Sequence, residues 1–227
     1  VVQRTARIPN ATRRRKTEGV EAEPAGKRRG TGRTARGRQT RQDLIDAAQQ
    51  VFERVGFLHA RVADICAEAG ISHGSFYTYF VSKEEVFNEI VDSVEFDLLT
   101  VEGPPEGADP VERIRAANRH YLEAYREHAG ILRVIQQVST FDNDVRQTRV
   151  QRQTEFAHAI ERRTRDYQKR GLVHADIDPW IAANALGGMV SQLADQMFVQ
   201  GQQFDFDQTV EQLTMLWVNA VGLRSSS

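Results

Sequence analysis

Val62-Ala63-Asp64-Ile65-Cys66-Ala67-Glu68-Ala69-Gly70-Ile71-Ser72-His73-Gly74-Ser75-Phe76-Tyr77-Thr78-Tyr79-Phe80 contains two short helical patterns with three residues between them. In the first, Arg61 to Ala69, the residues Val62, Ile65, Cys66 and Ala69 recur at three- and four-residue steps and define one inward face. Gly70 stops that helix, and Ser72 can cap a second one of barely two turns, His73 to Tyr79. Two short helices joined by Gly70-Ile71-Ser72 have the spacing of a helix-turn-helix, whose second helix enters the major groove of DNA.

The second helix sorts its own residues. Phe76, Tyr79 and Phe80 can pack inward, which leaves His73, Ser75, Tyr77 and Thr78 outside. Gly74 adds no side chain near the helix start and permits close approach. Hydroxyls and imidazole suit phosphate oxygens and base edges. An aromatic run at helical spacing is an ordinary core pattern, so Phe76 and Phe80 read as core. Tyr79 can face either way and stays with the DNA-facing set.

Upstream, Leu44, Ile45, Ala47, Ala48, Val51, Phe52 and Val55 form an apolar stripe from Thr40 to a stop at Gly56. Downstream, Ser82 with Glu85 three residues on is a capping-box pattern opening a fourth helix. Lys83 sits in its first turn, where a cation opposes the helix dipole unless it has another use.

The runs Val51-Phe52-Glu53-Arg54-Val55-Gly56-Phe57, Val62 through Ser72, Gly74 through Phe80, and Ser82-Lys83-Glu84-Glu85 strongly resemble the head of the TetR family of bacterial repressors. The resemblance covers about 50 of the 227 residues. It implies a dimeric all-α regulator whose C-terminal domain binds a small molecule and thereby releases operator DNA. Carried over by position, Tyr77 and Lys83 look like phosphate contacts, and His73, Ser75 and Thr78 like recognition-helix residues. Two positions depart from the family pattern: Ala60 and Arg61 stand where Thr or Ser commonly caps the second helix, and Val81 where Pro commonly precedes the Ser-Lys pair.

Charge is divided along the chain. Residues 1–41 hold 13 Lys+Arg against 3 Asp+Glu, so 17 and 28 remain for the other 186, although the whole carries a formal net charge of -1. A basic front and an acidic body suit a protein that meets a polyanion at one end. Residues 1–37, with Arg13-Arg14-Arg15-Lys16 and Lys27-Arg28-Arg29-Gly30 and almost no large apolar residue, read as a disordered basic arm. Its expected role is attraction to phosphates; a solvated tail is the plainer alternative. Cys66 has no internal partner, which leaves a buried filler thiol or a redox sensor, and no stretch resembles a signal peptide or membrane span. A cytoplasmic protein with no membrane association is expected.

After the break at Gly103-Pro104-Pro105-Glu106-Gly107, Asp109-Pro110 and Asp178-Pro179 each supply a helix cap and first position. Helical patterns run from Asp109 through Tyr125, from Asp142 to Lys169, from Pro179 to Phe198 and from Asp207 to Val221, with a short apolar segment at Ile131 to Val138. No segment alternates with period two. The prediction is an all-α protein of about nine helices: the arm, a helix-turn-helix head over residues 38–87 whose fourth helix links onward, and a ligand-binding and dimerisation body over residues 88–227.

For the body, the resemblance places a dimer interface on the last two helices, and their surplus apolar surface nominates Leu186, Met189, Val190, Leu193, Leu213, Leu216 and Trp217. Tyr121, Tyr125, Gln136, Phe156, Asn184 and Met189 are candidate pocket residues, each also readable as ordinary core. His120, His128 and His158 lack convincing ligand partners at helical spacing, so no metal or cofactor is expected. There is no glycine-rich phosphate loop, nucleophile elbow or paired-carboxylate motif, which argues against an enzyme. The expected partners are double-stranded operator DNA, a small-molecule effector and a second copy of the chain. A ligand-independent architectural DNA-binding protein is the alternative.

Overall fold

Side-chain acceptors set where the helices begin in the computed structural model, which describes residues 34–100 and 109–223. Thr34 accepts the Gly37 N–H at 3.1 Å and opens α1 (Ala35–Val55). Ser72 and Ser82 do the same for α3 (His73–Tyr79) and α4 (Lys83–Leu99), through Ser75 and Glu85 N–H groups at 3.3 Å. Aspartates open four body helices: Asp109 for α5 (Pro110–Glu127), Asp142 for α7 (Asn143–Lys169), Asp178 for α8 (Pro179–Phe198) and Asp205 for α9 (Phe206–Val221). Each cap of this kind is worth about 1 kcal/mol. Two helices start without a side-chain cap, α2 (Val62–Glu68) and α6 (Ala129–Val138). At α2 the Asp64 carboxylate accepts the Arg61 backbone N–H at 3.1 Å, so half of a reciprocal capping box survives the loss of a hydroxyl at the cap.

Among the described residues the protein has nine α-helices and no strand, as expected for the all-α class. No helix among them is long and apolar enough to cross a membrane. Several boundaries move, with α1 beginning at Ala35 rather than Thr40 and α6 at Ala129 rather than Ile131. Residues 35–37, assigned to the arm, form the first turn of α1, and α9 starts behind Asp205 rather than at Asp207. Residues 1–33 of the arm and the break at 103–107 lie outside the described residues.

The head is built by α1, α2, α3 and the first half of α4. Leu44, Val51 and Phe52 of α1, Ile65 of α2, Phe76 of α3 and Phe87 of α4 are fully or almost fully buried together. Phe52 and Phe87 meet edge to face at 5.3 Å. This core does not end at the head. α4 continues through Ile90, Val91, Val94 and Leu98 into the body, and α6, whose Ile131 and Ile135 belong to the same buried cluster, packs on α1. Head and body therefore share one apolar cluster, and a shift of α4 is felt on both sides. In the body, α7 packs on α8 and α4, and α5 packs on α9 and α8. A smaller cluster of Val173, Ala182, Val221 and Leu223 closes the end of α9. There Gly222 is left-handed, φ +62°, and a Cβ on it would fall 1.9 Å from the His174 ring. Only glycine fits.

Candidate nucleic-acid interface and interior cavity

The turn between α2 and α3 depends on Gly70, whose φ of +66° lets the Ile71 N–H reach back to Cys66 O at 3.0 Å. This folds α3 across α2 with Phe76 facing inward. The opposite face of α3 presents His73, Gly74, Tyr77 and Thr78 to solvent, with Tyr77 49% exposed. The His73 and Tyr77 rings meet at 5.3 Å, one turn apart, and form a single exposed patch. Ser75 is half-buried and its hydroxyl pairs with Ser72 Oγ at 2.8 Å. Tyr79, counted with the DNA-facing set, is half-buried and packs against the head core, because the Phe76 and Phe80 rings draw that side of the helix inward.

Lys83 has the other use that its place in the first turn demanded. Its ammonium donates to Phe57 O at 2.8 Å and Ala60 O at 3.0 Å and lies 4.7 Å from the Phe57 ring centroid. Two of its three N–H bonds thus staple the loop between α1 and α2 to α4. Sequence reasoning nominated it as a phosphate contact and did not foresee this internal role. Arg41 acts similarly from α1: its guanidinium grips both oxygens of Glu89 on α4 and stacks 4.7 Å from the Phe80 ring centroid. Cys66 is buried, and burial pushes its thiol above the ordinary range, which makes it filler rather than a reactive sensor.

The body encloses a cavity of about 250 Å³ between α5, α7, α8 and α9. Two nominated pocket residues, Tyr121 and Phe156, line it. Tyr125, Gln136, Asn184 and Met189 are not among its lining residues. Tyr125 and Gln136 instead converge on Asp195: Tyr125 donates to Oδ1 at 3.2 Å and Gln136 at 2.8 Å, while Gln200 donates to Oδ2 at 2.7 Å. Burial acts to raise the Asp195 carboxyl, yet the donors from Gln136, Gln200 and Tyr125 outweigh it and hold it below its ordinary value. Burial, reinforced by the Asp195 charge, raises the Tyr125 hydroxyl. Asn184 is exposed and returns its amide to Trp180 O, and Met189 packs half-buried against the core.

Sequence reasoning missed Arg113, Asn118, Arg163, Thr164 and Tyr167 as lining residues. Asn118 carried a signal, since it interrupts the apolar stripe Ile114-Asn118-Leu122 at four-residue spacing. It is buried and donates to Thr214 Oγ1 at 3.3 Å.

The assignment of the outer faces of α8 and α9 also changes. Val190, Leu213 and Trp217 are buried within the chain itself, and Val190 and Trp217 line the cavity, so little of their surface faces outward. Leu186, Met189 and Leu193 are half-buried against the same core. Leu216 is 51% exposed and is joined by Met215 at 53% and Ile181 at 66%, neither of which was nominated. The three histidines have other partners. His120 and His128 both contact Asp97, through its carbonyl at 2.7 Å and its carboxylate at 3.2 Å, and His158 stacks 4.5 Å from Trp180.

Comparison with known proteins bears on both halves of the chain. Residues 44–90 match the family model described as bacterial regulatory proteins, tetR family, and residues 107–195 match that described as tetracyclin repressor-like, C-terminal domain. The chain is 25% identical over 173 residues to the uncharacterized HTH-type transcriptional regulator YdgC of Bacillus subtilis, covering 74% of this chain and 85% of that protein. It is 24% identical over 190 residues to the HTH-type transcriptional regulator TtgR of Pseudomonas putida, covering 80% and 89%. The structure of Salmonella enterica GusR superposes with a TM-score of 0.65 at 22% identity, over 81% of this chain and 96% of that one, a likeness of fold.

Proposed function

This chain belongs to the TetR family of bacterial transcriptional regulators, and from that premise we propose that it is a dimeric repressor released from a palindromic operator when a small molecule fills the body cavity. It is a DNA-binding transcriptional regulator. The observation that carries the DNA-reading part of this proposal is the division of α3 into a face anchored by Phe76 and a face presenting His73, Tyr77 and Thr78. In this reading Tyr77 contacts phosphate, His73, Ser75 and Thr78 read base edges, and Gly74 allows the backbone to approach. Lys83 positions the head through the α1–α2 loop and has one N–H left for phosphate. Residues 34–87 with α4 form the DNA-binding unit, and the rest of the body senses and dimerises.

Exposed Ile181, Met215 and Leu216 support dimerisation through α8 and α9, and two-fold symmetry then matches half-sites about one helical turn, roughly 34 Å, apart. The cavity supports a ligand because α7, one of its walls, packs directly on α4, the helix that leaves the head. A ligand that favours one position of α7 would bias the spacing of the two heads by its differential affinity.

The test is selection of bound fragments from the source genome, followed by titration of variants on the selected site. Tyr77→Phe weakens binding on every sequence. His73→Ala changes base preference by about 1–3 kcal/mol at one position. Deleting residues 1–33 lowers affinity and flattens the salt dependence without moving the preferred site. A preferred site that moved with the arm would refute this division of roles.

A further inference from the structure

The lining of the cavity specifies the charge of its occupant. Among the described residues it contains two guanidinium groups, Arg113 from α5 and Arg163 from α7, and no carboxylate. Most of the remaining wall is apolar, and four aromatic side chains, Tyr121, Phe156, Tyr167 and Trp217, contribute to it. The nearby acids are committed elsewhere: Glu95 is paired with Arg149 at 3.1 Å, and Asp195 carries its amide and hydroxyl donors. A cationic guest would therefore find no countercharge among the lining residues and would be repelled by the Arg163 guanidinium.

Of the α7 arginines that hold no carboxylate among the described residues, Arg163 alone lines the cavity. Arg149, Arg152 and Arg165 each hold a carboxylate, whereas Arg163, exposed at the rim, has no hydrogen-bond or ion-pair partner among the described residues. A guanidinium presents a planar fork that matches a carboxylate with two parallel N–H bonds. The interior hydroxyl of Thr164 is already satisfied by Ile160 O at 2.9 Å, and Asn118 is engaged with Thr214. The deep part of the cavity thus offers ring faces and edges, and the rim offers positive charge. At about 250 Å³ the volume lies near the small end of the roughly 300–1,000 Å³ typical of ligand sites.

We propose that the cavity takes a compact apolar monoanion, an aromatic or medium-chain carboxylate, with its charge at Arg163 and its body against the Tyr121, Phe156 and Trp217 rings. This rests on the reading of the cavity as the effector site. Trp217 is a built-in reporter, and Trp180→Phe leaves it as the single tryptophan of the chain.

The experiment uses that full-length variant and follows Trp217 fluorescence and the thermal midpoint with two matched series: 3-phenylpropionate, its methyl ester and 3-phenylpropylamine; octanoate, methyl octanoate and octylamine. At least one acid is expected to bind about tenfold more tightly than its ester, with its amine weakest. Arg163→Gln should lower that acid's affinity about tenfold and leave the ester unchanged. An ester or amine binding as tightly as the acids would overturn the charge assignment while the effector-site reading stands. Silence of all six probes in both readouts would remove the effector-site reading itself, and this proposal with it.

Discussion

Glu95 on α4, only 2% exposed, accepts a hydrogen bond from Arg149 Nε on α7 at 3.1 Å. The pair joins the helix leaving the DNA-binding head to a helix that walls the cavity. Arg152 of α7 and Asp92 of α4 add a second, exposed contact on the same charged seam. The buried pair is held by geometry more than by energy, since burial penalises both charges. Burial pushes the Glu95 carboxyl above its ordinary range by more than the attraction of Arg149 and Arg152 draws it down.

That shift and the opposite one at Asp195 give opposed pH dependences. The folded state holds the Glu95 proton more tightly than the unfolded chain does. Its contribution is therefore lost as pH rises from about 4 through the raised value. Asp195, depressed by its donors, contributes stability that is present above about pH 4 and lost as pH falls through its lowered value. Between about pH 4 and pH 7 the thermal midpoint of Glu95→Gln should rise relative to the parent protein. Between about pH 5 and pH 3, as the pH falls, that of Asp195→Asn should also rise relative to the parent, because only the parent loses a carboxylate's contribution. Replacing Arg149 removes a charge and a hydrogen bond that draw the Glu95 carboxyl down, so it should extend to higher pH the range over which the Glu95 contribution is lost.

Lys83→Met keeps the side-chain length and removes the ammonium from Phe57 O and Ala60 O. The expected cost is about 1.5–3 kcal/mol in urea unfolding, the range for charged hydrogen bonds. Amide exchange at Ala60, whose N–H bonds Gly56 O, should accelerate. Unchanged stability with weakened DNA binding would return Lys83 to a purely phosphate role.

Substitutions on α9 should separate interface from core. Leu216→Glu places a charge on the exposed face and is expected to yield a folded monomer at micromolar concentration in ultracentrifugation. Leu213→Glu buries the charge within the protomer and is expected to unfold it. A dimer that survives Leu216→Glu unaltered would move the interface off this face.

Phe76→Ala should cost about 3–5 kcal/mol, because Phe76 is fully buried where α3 rests on the head. Tyr77→Ala, on the outward side, should leave the thermal midpoint within a few degrees while weakening DNA binding. Equal loss of stability in both would mean that α3 has no free face.

The parts legible in sequence are those set by neighbours in the chain. Gly70-Ile71-Ser72 and the caps at Asp109 and Asp178 are local devices, and their helices begin where those residues stand. Asp205 and Asp207 flank Phe206, and a reading that starts the helix at Asp207 passes over the carboxylate two residues earlier that caps it. The body was less legible because an apolar stripe shows that a face is buried, not what buries it. Val190, Leu213 and Trp217 read as surplus surface, yet the chain's own helices cover them. Tyr121 and Tyr125 lie one turn apart on α5, and only the position of Asp195 on α8 sends one to the cavity wall and the other to a hydrogen-bond cluster. Lys83 reads in sequence as a phosphate contact, and its internal partners are hidden there because Phe57 and Ala60 are reached only after the loop folds back.

The central claim is sequence-specific recognition by α3, and the most direct measurement is the affinity ratio of the full chain for its selected genomic site over random DNA at one fixed, near-physiological salt concentration. The account predicts a ratio of about a thousand or more, collapsing when His73 and Thr78 are both replaced by alanine. A ratio near one, with steep salt dependence and no response to those substitutions, would contradict it and identify a charge-driven architectural DNA-binding protein.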